Sequence, residues 1–407
     1  MPLSNVASPQ APHRRLLSPI ATISIAQLFG TSLWFSANSA ASDLMRAWHA
    51  SAADIGLLTS AVQVGFILGT LVMALSGCAD RFRASSIFVV FAIGGAAFNA
   101  GFAWLSTGMA SAVAFRFLVG VSLAGIYPLG MKLIVSWAPE KTGTALAQLV
   151  AMLTLGTALP HGLRVVGAQL PWQEVISVSS VLALGGAWLI FTLGDGPHLR
   201  RSSRATRATG IVAAFRNRTF RSAALGYFGH MWELYAFWTI VPLYVAQSVL
   251  GKHLHLGGVS GISFLIIGAG TLGCLGGGYV SRRVGSAPVA AAALALSGAC
   301  SIAFALGWRN LPAVPLFILL LVWGASVIAD SPQFSALSAK ACAPELVGSA
   351  LAIQNSIGFA ITVVSIAAVT VLFQRIGLDS AWLLLLGPVL GLAGFAPALR
   401  KSSEPMD

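Results

Sequence analysis

An all-α membrane protein of twelve transmembrane helices, arranged as two pseudo-symmetric six-helix halves, is the fold the sequence predicts. Three observations predict it. Of the 407 residues, 57% are hydrophobic and 9% charged, where a soluble protein carries about a quarter charged residues. The apolar runs are roughly 20 residues long, the length of a bilayer-crossing helix, whereas barrel strands alternate over about 10. An internal repeat supplies the third observation. Gly120-Val-Ser122 and Pro128 recur as Gly324-Ala-Ser326 and Pro332 at an offset of 204. Ala138-Pro139-Glu140 recurs as Ala343-Pro344-Glu345 at 205, and Asp80-Arg81 aligns with Arg282-Arg283 at 202. Such spacing marks two copies of one unit.

The elements follow in order. Residues 1–16 form a cytoplasmic tail, with Arg14 and Arg15 as anchors. Arg14-Arg15 with the following apolar run and Ser36–Ser42 imitates a cleavable signal, but the run is longer than a signal's apolar region and many spans follow. Six spans, 17–39, 53–76, 86–106, 110–136, 143–165 and 174–194, make an N-terminal bundle over 17–194. A basic, Ser/Thr-rich linker at 195–220 suits orientation and lipid head-group contact, with partner docking as the alternative. The C-terminal bundle, 221–399, has spans at 221–247, 259–281, 287–308, 312–338, 347–373 and 380–399, and a cytoplasmic tail closes the chain at 400–407.

The loops fix an orientation. Eighteen Lys and Arg residues fall on the side of the termini and five on the other, with Arg116 inside a span. The positive-inside rule puts both termini in the cytoplasm of a bacterial inner (plasma) membrane. The net charge of +12 is therefore a matter of topology and gives no sign of nucleic acid. Cys78, Cys274, Cys300 and Cys342 lie in no Cys-x-x-Cys pair and beside no histidine at ligand spacing. They predict no disulfide and no metal, and the chain calls for no cofactor.

The seventh span, Leu225–Gln247, carries His230 and Glu233 near its middle. A carboxylate at bilayer depth costs a few kcal/mol or more and needs a partner or a polar pathway. Protonation removes that cost, which makes Glu233 a candidate proton carrier. His230, three residues away and on the same helical face, either shares the proton or orients the carboxylate. Alternatively, the two pair with each other or with Arg116 to hold helices together. Asp330, before Ser331-Pro332, sits beside a turn that proline opens, and is either a proton or cation site or the partner of a base. Gln27, Asn38, Gln63, Gln354 and Asn355 are uncharged polar residues within spans, able to bind solute or a neighbouring helix. Trp34, Trp232, Tyr235 and Trp238 can wall a solute site or simply pack. His161 follows Pro160, and Lys132 follows Pro128 by one turn; snorkelling suits Lys132.

Several motifs carry a family resemblance. Ser76-Gly-Cys-Ala-Asp80-Arg81-Phe-Arg83 resembles the G-x-L-A-D-R-x-G-R loop of the major facilitator superfamily, with Ser76 in the first glycine position and Arg83 in the second. Gly278-Tyr-Val-Ser-Arg282-Arg283-Val-Gly285 is its second copy, with Arg282 in place of the acid. Arg116-Phe-Leu-Val-Gly120-Val-Ser-Leu-Ala124 is similar to the family's R-x-x-x-G-x-x-x-A pattern in span four. Gln27–Asn38, Gly226–Trp238 and Ile328–Leu337 resemble a bacterial subgroup with general labels or loosely grouped with nitrate, nitrite or cyanate permeases. The antiporter signature of span five is not matched by Gly156–Gly162.

The resemblance implies a secondary active transporter of a small solute, not an enzyme, monomeric, working by alternating access of its two halves. It implies proton coupling through Glu233, His230, Asp330 and Arg116, where Arg116 acts in coupling, as an anion clamp or as a counter-charge. Solute-binding candidates are Gln27, Trp34, Asn38, Trp232, Tyr235, Gln354 and Asn355. Asp80, Arg81, Arg282 and Arg283 form gating loops, with Glu140 and Glu345 as candidate partners. Gly65, Gly69, Gly120 and Gly125 allow close, sliding helix contacts. Uniport, or export of a drug or metabolite, is the alternative within transport. A transporter-like solute sensor is the alternative outside it. No G-x-x-x-x-G-K-[ST] loop is present, so the energy source is an ion gradient, the proton's first.

Overall fold

The computed structural model describes residues 17–199, 215–342 and 347–402. These residues are helical apart from turns and loops, with no strand among them. Nine helices among them are long and apolar enough to cross a membrane. One of the nine, Ala350–Leu399, contains the turn Gly377–Ser380 and is therefore two rods. Two more rods miss the criterion for visible reasons: the first is broken, and Arg218–Gln247 carries Arg218, Arg221, His230 and Glu233. Grouped by their turns, the described helices form the twelve spans expected.

Local chemistry sets the ends. Ser18 caps span one, its Oγ accepting from the Ala21 N–H, with Pro19 in the first helical turn. Ser51 and Asp54 close a reciprocal capping box at the start of span two, Ala52–Ser76. That helix stops at Gly77, whose φ of 66° is the left-handed conformation glycine adopts without penalty. Asn217 caps span seven, Arg218–Gln247, by accepting from the Thr219 and Phe220 N–H groups.

The internal repeat reappears as packing. A Cβ on Gly120 of span four, Met109–Trp137, would overlap the Val62 carbonyl of span two. A Cβ on Gly324 of span ten would overlap the Ile266 carbonyl of span eight, Gly258–Val284. Likewise Gly69 abuts Val121 and Gly273 abuts Ala325. Both members of each contact are displaced by the same offset of 204 read in the sequence. The halves meet where span two runs along span eleven, Val347–Ile376, and span five, Thr142–Val166, along span eight. Large apolar side chains such as Leu75, Val166 and Leu272 point outward, as lipid-facing residues do.

Two segments differ from expectation, span one and the linker, while span ten breaks where Pro332 predicts it. Span one is not one rod: helix ends at Thr31, resumes at Ser36–Ser39 and continues as Ala41–Ala47. Thr31 and Ser32 turn their hydroxyls back onto the Gln27 and Phe29 carbonyls, which loosens the helix end. Span ten breaks at Asp330 into Ala313–Ala329 and Ser331–Lys340, where Pro332 lacks the N–H that would reach the Ile328 carbonyl. The Cys274 thiol donates to that carbonyl instead, at 3.7 Å. The expected linker 195–220 begins docked rather than free. The Asp195 carboxylate accepts from the Ser85 N–H at 2.8 Å and lies 3.5 Å from Arg83, while Gly196 and His198 bond Ser136. Residues 200–214 of that linker, the tail 1–16 with Arg14 and Arg15, Glu345, and residues 403–407 of the last tail lie outside the described residues, as do the side chains of Arg400 and Lys401.

Candidate functional site

Glu233 faces the interior of the C-terminal half and is 1% exposed. Its Oε1 accepts from the Trp323 indole at 2.7 Å and its Oε2 from the Ser297 hydroxyl at 2.7 Å. Spans seven, nine (Ser286–Gly307) and ten thus meet on one carboxyl group. The Trp323 ring is fixed in turn by Phe237 and Phe304, 4.6 and 5.8 Å between centroids. His230 is not Glu233's partner, although the two share a helical face. Its Nδ1 stands 2.8 Å from Asp330 Oδ1 across spans seven and ten, both groups fully buried, without the alignment of a good hydrogen bond. Span ten therefore serves the two groups separately, Trp323 taking Glu233 and Asp330 taking His230. The Tyr227 ring lies 5.9 Å from the imidazole.

Arg116 belongs to the N-terminal half and meets no carboxylate. Its terminal nitrogens donate to the carbonyls of Leu33 (3.0 Å) and Trp34, to Ser36 Oγ (3.0 Å) and to Asn99 Oδ1 (3.2 Å); its Nε has no partner. The break in span one strips main-chain carbonyls of their helical donors. A fully buried cation at that helix end supplies donors and opposes the dipole. Asn99 is held by Ser180 and the Ile176 carbonyl, so spans one, three, four and six close around the break.

The break projects Trp34 and Phe35 across the seam between halves. Trp34 lies 5.5 Å from Tyr235 and 5.8 Å from Phe359, and Phe66 lies 4.5 Å from Phe359. Phe35 meets Trp238 at 5.9 Å. Residues 23–366 match the family model described as Major Facilitator Superfamily. The chain belongs to that superfamily. No curated protein matches it. Among solved structures it is similar in fold to a mutant of the nucleoside transporter NupG, at 15% identity and TM-score 0.71, covering 95% of this chain and 100% of that one. A bacterial homologue of the human lysosomal transporter Spinster, inward-facing and unoccupied, aligns at 15% identity and TM-score 0.66, with 94% and 92% covered. The human organic anion transporter MFSD10 (TETRAN) aligns at 17% and 0.66, with 95% and 99% covered. This superfamily member is a multi-pass membrane transporter of a small solute.

The remaining expected residues of the transporter fall into three places. Trp34, Asn38 and Tyr235 lie buried at the seam. Gln27 and Gln354 are buried with both amide atoms unpartnered, and Asn355 is half-buried beside Gln354. Trp232 lies away from the seam, donating to the Leu383 carbonyl at 2.9 Å and packing on Gly387. At the loops, Arg81 is exposed over the Phe82 ring, and Arg282 and Arg283 stack on Tyr279 at 5.4 and 4.9 Å. The Asp80 side chain lies outside the described residues. Lys132 reaches the Ala79 carbonyl at 2.5 Å.

Sequence reasoning missed Ser297, Trp323, Ser36 and Asn99 as partners. A serine and a tryptophan in apolar runs are common, and nothing local marks them. The one available signal was Asn99, an amide in an otherwise apolar span three.

Proposed function

We propose that this transporter is proton-coupled and driven by the proton gradient, with Glu233 as the proton site and the two halves alternating access to a site at their seam. The observation that carries this reading is the setting of Glu233: a buried carboxyl group whose two oxygens accept from two neutral donors, the Ser297 hydroxyl and the Trp323 indole. Such a site serves both protonation states. Toward a carboxylate, the Trp323 indole and the Ser297 hydroxyl both donate. Toward the acid, the hydroxyl rotates to accept while the indole still donates to the other oxygen. A site closed by a guanidinium would be locked in one state. The His230–Asp330 pair, one turn away along span seven, supplies a second titratable group, linked through movement of span ten against span seven. The protein acts as a monomer in the bacterial inner (plasma) membrane, with both termini cytoplasmic by the charge of its loops. Asp80, Arg81, Arg282 and Arg283 gate the cytoplasmic side.

The test is purified protein in liposomes loaded with a pH-sensitive dye and exposed to a panel of sugars, nucleosides, amino acids, small anions and drugs. Proton movement evoked by one solute in wild type and absent in Glu233→Gln supports the reading, and its direction separates symport from antiport. Equal solute flux in both proteins with no pH change overturns it in favour of a uniporter.

A further inference from the structure

Span eight, Gly258–Val284, has 27 residues and is about 40 Å long at 1.5 Å per residue. That exceeds the hydrocarbon core of about 30 Å, so its last turns stand in the head-group layer on the side of the termini. One face of the helix is laid out for lipid. Leu265, Leu272 and Tyr279 recur at intervals of seven, with Leu275 and Val280 beside them, and all of these side chains are exposed. The stripe ends in charge. Arg282 and Arg283, both exposed, fold back onto the Tyr279 ring, their guanidinium carbons 5.4 and 4.9 Å from its centroid. A terminal nitrogen of Arg283 donates to the Tyr279 hydroxyl, whose own proton stays free to donate.

Neither guanidinium has a counter-charge. Among the described residues no carboxylate pairs with Arg282 or Arg283. The internal repeat shows what is missing. In the first copy of this loop Asp80 stands where the second has Arg282, and Arg83 lies 3.5 Å from the Asp195 carboxylate. Arg309 gives a second comparison: it stacks on Trp308 at 4.3 Å in the same way, and there Asp379 closes the arrangement. On Tyr279 two cations share one ring, repel each other and keep most of their N–H groups unspent. An anion offsets both deficits. Gly276, one turn deeper on the same face, has open space where a Cβ would stand, which leaves a notch for a chain beneath the ring.

We infer that Arg282, Arg283 and Tyr279 form a binding site for the phosphate of an anionic phospholipid, whose acyl chain runs along the Leu272–Gly276 face of span eight. The guanidiniums supply charge-assisted donors to the phosphate oxygens, and the Tyr279 hydroxyl supplies another. A lipid fits better than a free phosphate, because the cationic end continues an apolar stripe whose natural cover is hydrocarbon. The site lies on the lipid-facing surface of the C-terminal half, away from the seam. It goes beyond the transport reading and depends on no step of it.

The experiment is native mass spectrometry of the full chain, purified in detergent and titrated with dioleoyl phosphatidylglycerol, dioleoyl phosphatidylcholine or inorganic phosphate. Wild type should bind the first phosphatidylglycerol more tightly than phosphatidylcholine, and inorganic phosphate should not displace it. Arg282→Gln combined with Arg283→Gln should raise the Kd of that first lipid about ten- to thirtyfold, roughly fivefold for each arginine, with unchanged gel-filtration behaviour. Tyr279→Leu keeps an apolar side chain on the face but removes the ring and the hydroxyl, and should raise the Kd about threefold. Arg216→Gln combined with Arg218→Gln removes the same charge where span seven begins and should leave the Kd unchanged. An unchanged Kd in the Arg282 and Arg283 variant overturns the inference. So does equal affinity for phosphatidylcholine, which leaves hydrocarbon contact alone, or displacement by inorganic phosphate, which makes this a free-anion site. An equal loss in the span-seven variant also overturns it, in favour of diffuse attraction to a basic face. Binding is read without transport, so the result stands whether or not the same arginines gate.

Discussion

Replacing Arg116 by methionine isolates what the guanidinium does for span one. Methionine fills much of the same volume and removes every donor. Three buried acceptors, the carbonyls of Leu33 and Trp34 and Asn99 Oδ1, now depend on Arg116, and the only other donor at hand is the Ser36 hydroxyl, which lies 3.1 Å from the Leu33 carbonyl and 2.6 Å from Asn99 Oδ1. One hydroxyl proton serves one acceptor, so two are orphaned in the variant. Each buried acceptor left without a donor costs about 1–3 kcal/mol. Removal of the cation also removes the cost of desolvating it, which offsets part of the loss. The expected net loss is at the lower end, about 2–3 kcal/mol. Unfolding in detergent micelles, followed by near-ultraviolet circular dichroism against denaturant, reads this as a lowered midpoint. Arg116→Met unfolding at or above the wild-type midpoint would refute the assignment of Arg116 as the clamp of the broken helix.

Other consequences follow from packing and charge. Gly120→Val and Gly324→Val place side chains into the Val62 and Ile266 carbonyls and should sharply lower the yield of monodisperse protein, whereas Gly276→Ala, with open space around its Cβ, should match wild type. Trp232→Phe removes a bond to the Leu383 carbonyl away from the seam and should lower stability by about 1 kcal/mol while leaving solute flux intact, measured by the same unfolding and liposome assays. In the loops that follow spans nine and eleven, hydrogen bonds from Arg309 and then Trp308 hold the Asp379 carboxyl below the usual carboxylate range. A depressed folded-state pKa contributes stability that is present above the unfolded pKa and lost as pH falls through the folded one. The melting-temperature difference between wild type and Arg309→Gln should therefore shrink on acidification below about pH 4; a difference that grows in acid would contradict the ion pair's sign.

Much of the fold was legible because it rests on period and length. Gly120 and Gly324 stood out at a fixed offset, and the same offset relates their contacts to Val62 and Ile266. The kink at Asp330 was legible from Pro332. The break in span one was not, since Ser32-Leu-Trp-Phe35 contains neither proline nor glycine, and its clamp lies more than 80 residues downstream in Arg116. Site residues showed the same division. Glu233 and His230 announced themselves as polar groups in an apolar run. Their partners did not, because whether His230 turns to Glu233 or to Asp330 depends on how spans seven and ten are rotated, which no local spacing encodes. Tertiary packing also decided which amide atoms stay unpaired: Asn38, Gln63 and Gln354 read alike in sequence, and only the neighbours Thr59 and Trp34 fix which atoms of the first two are left without a partner.

The measurement that bears most directly on proton coupling through Glu233 compares two liposome assays on wild type and Glu233→Gln with a solute found by the dye screen. Accumulation driven by an imposed pH gradient requires the proton site, while counterflow exchange of labelled for unlabelled solute requires only the moving halves. The account predicts that Glu233→Gln keeps counterflow and loses gradient-driven accumulation. Accumulation at the wild-type level in Glu233→Gln would contradict it and leave Glu233 as a structural link between spans seven, nine and ten.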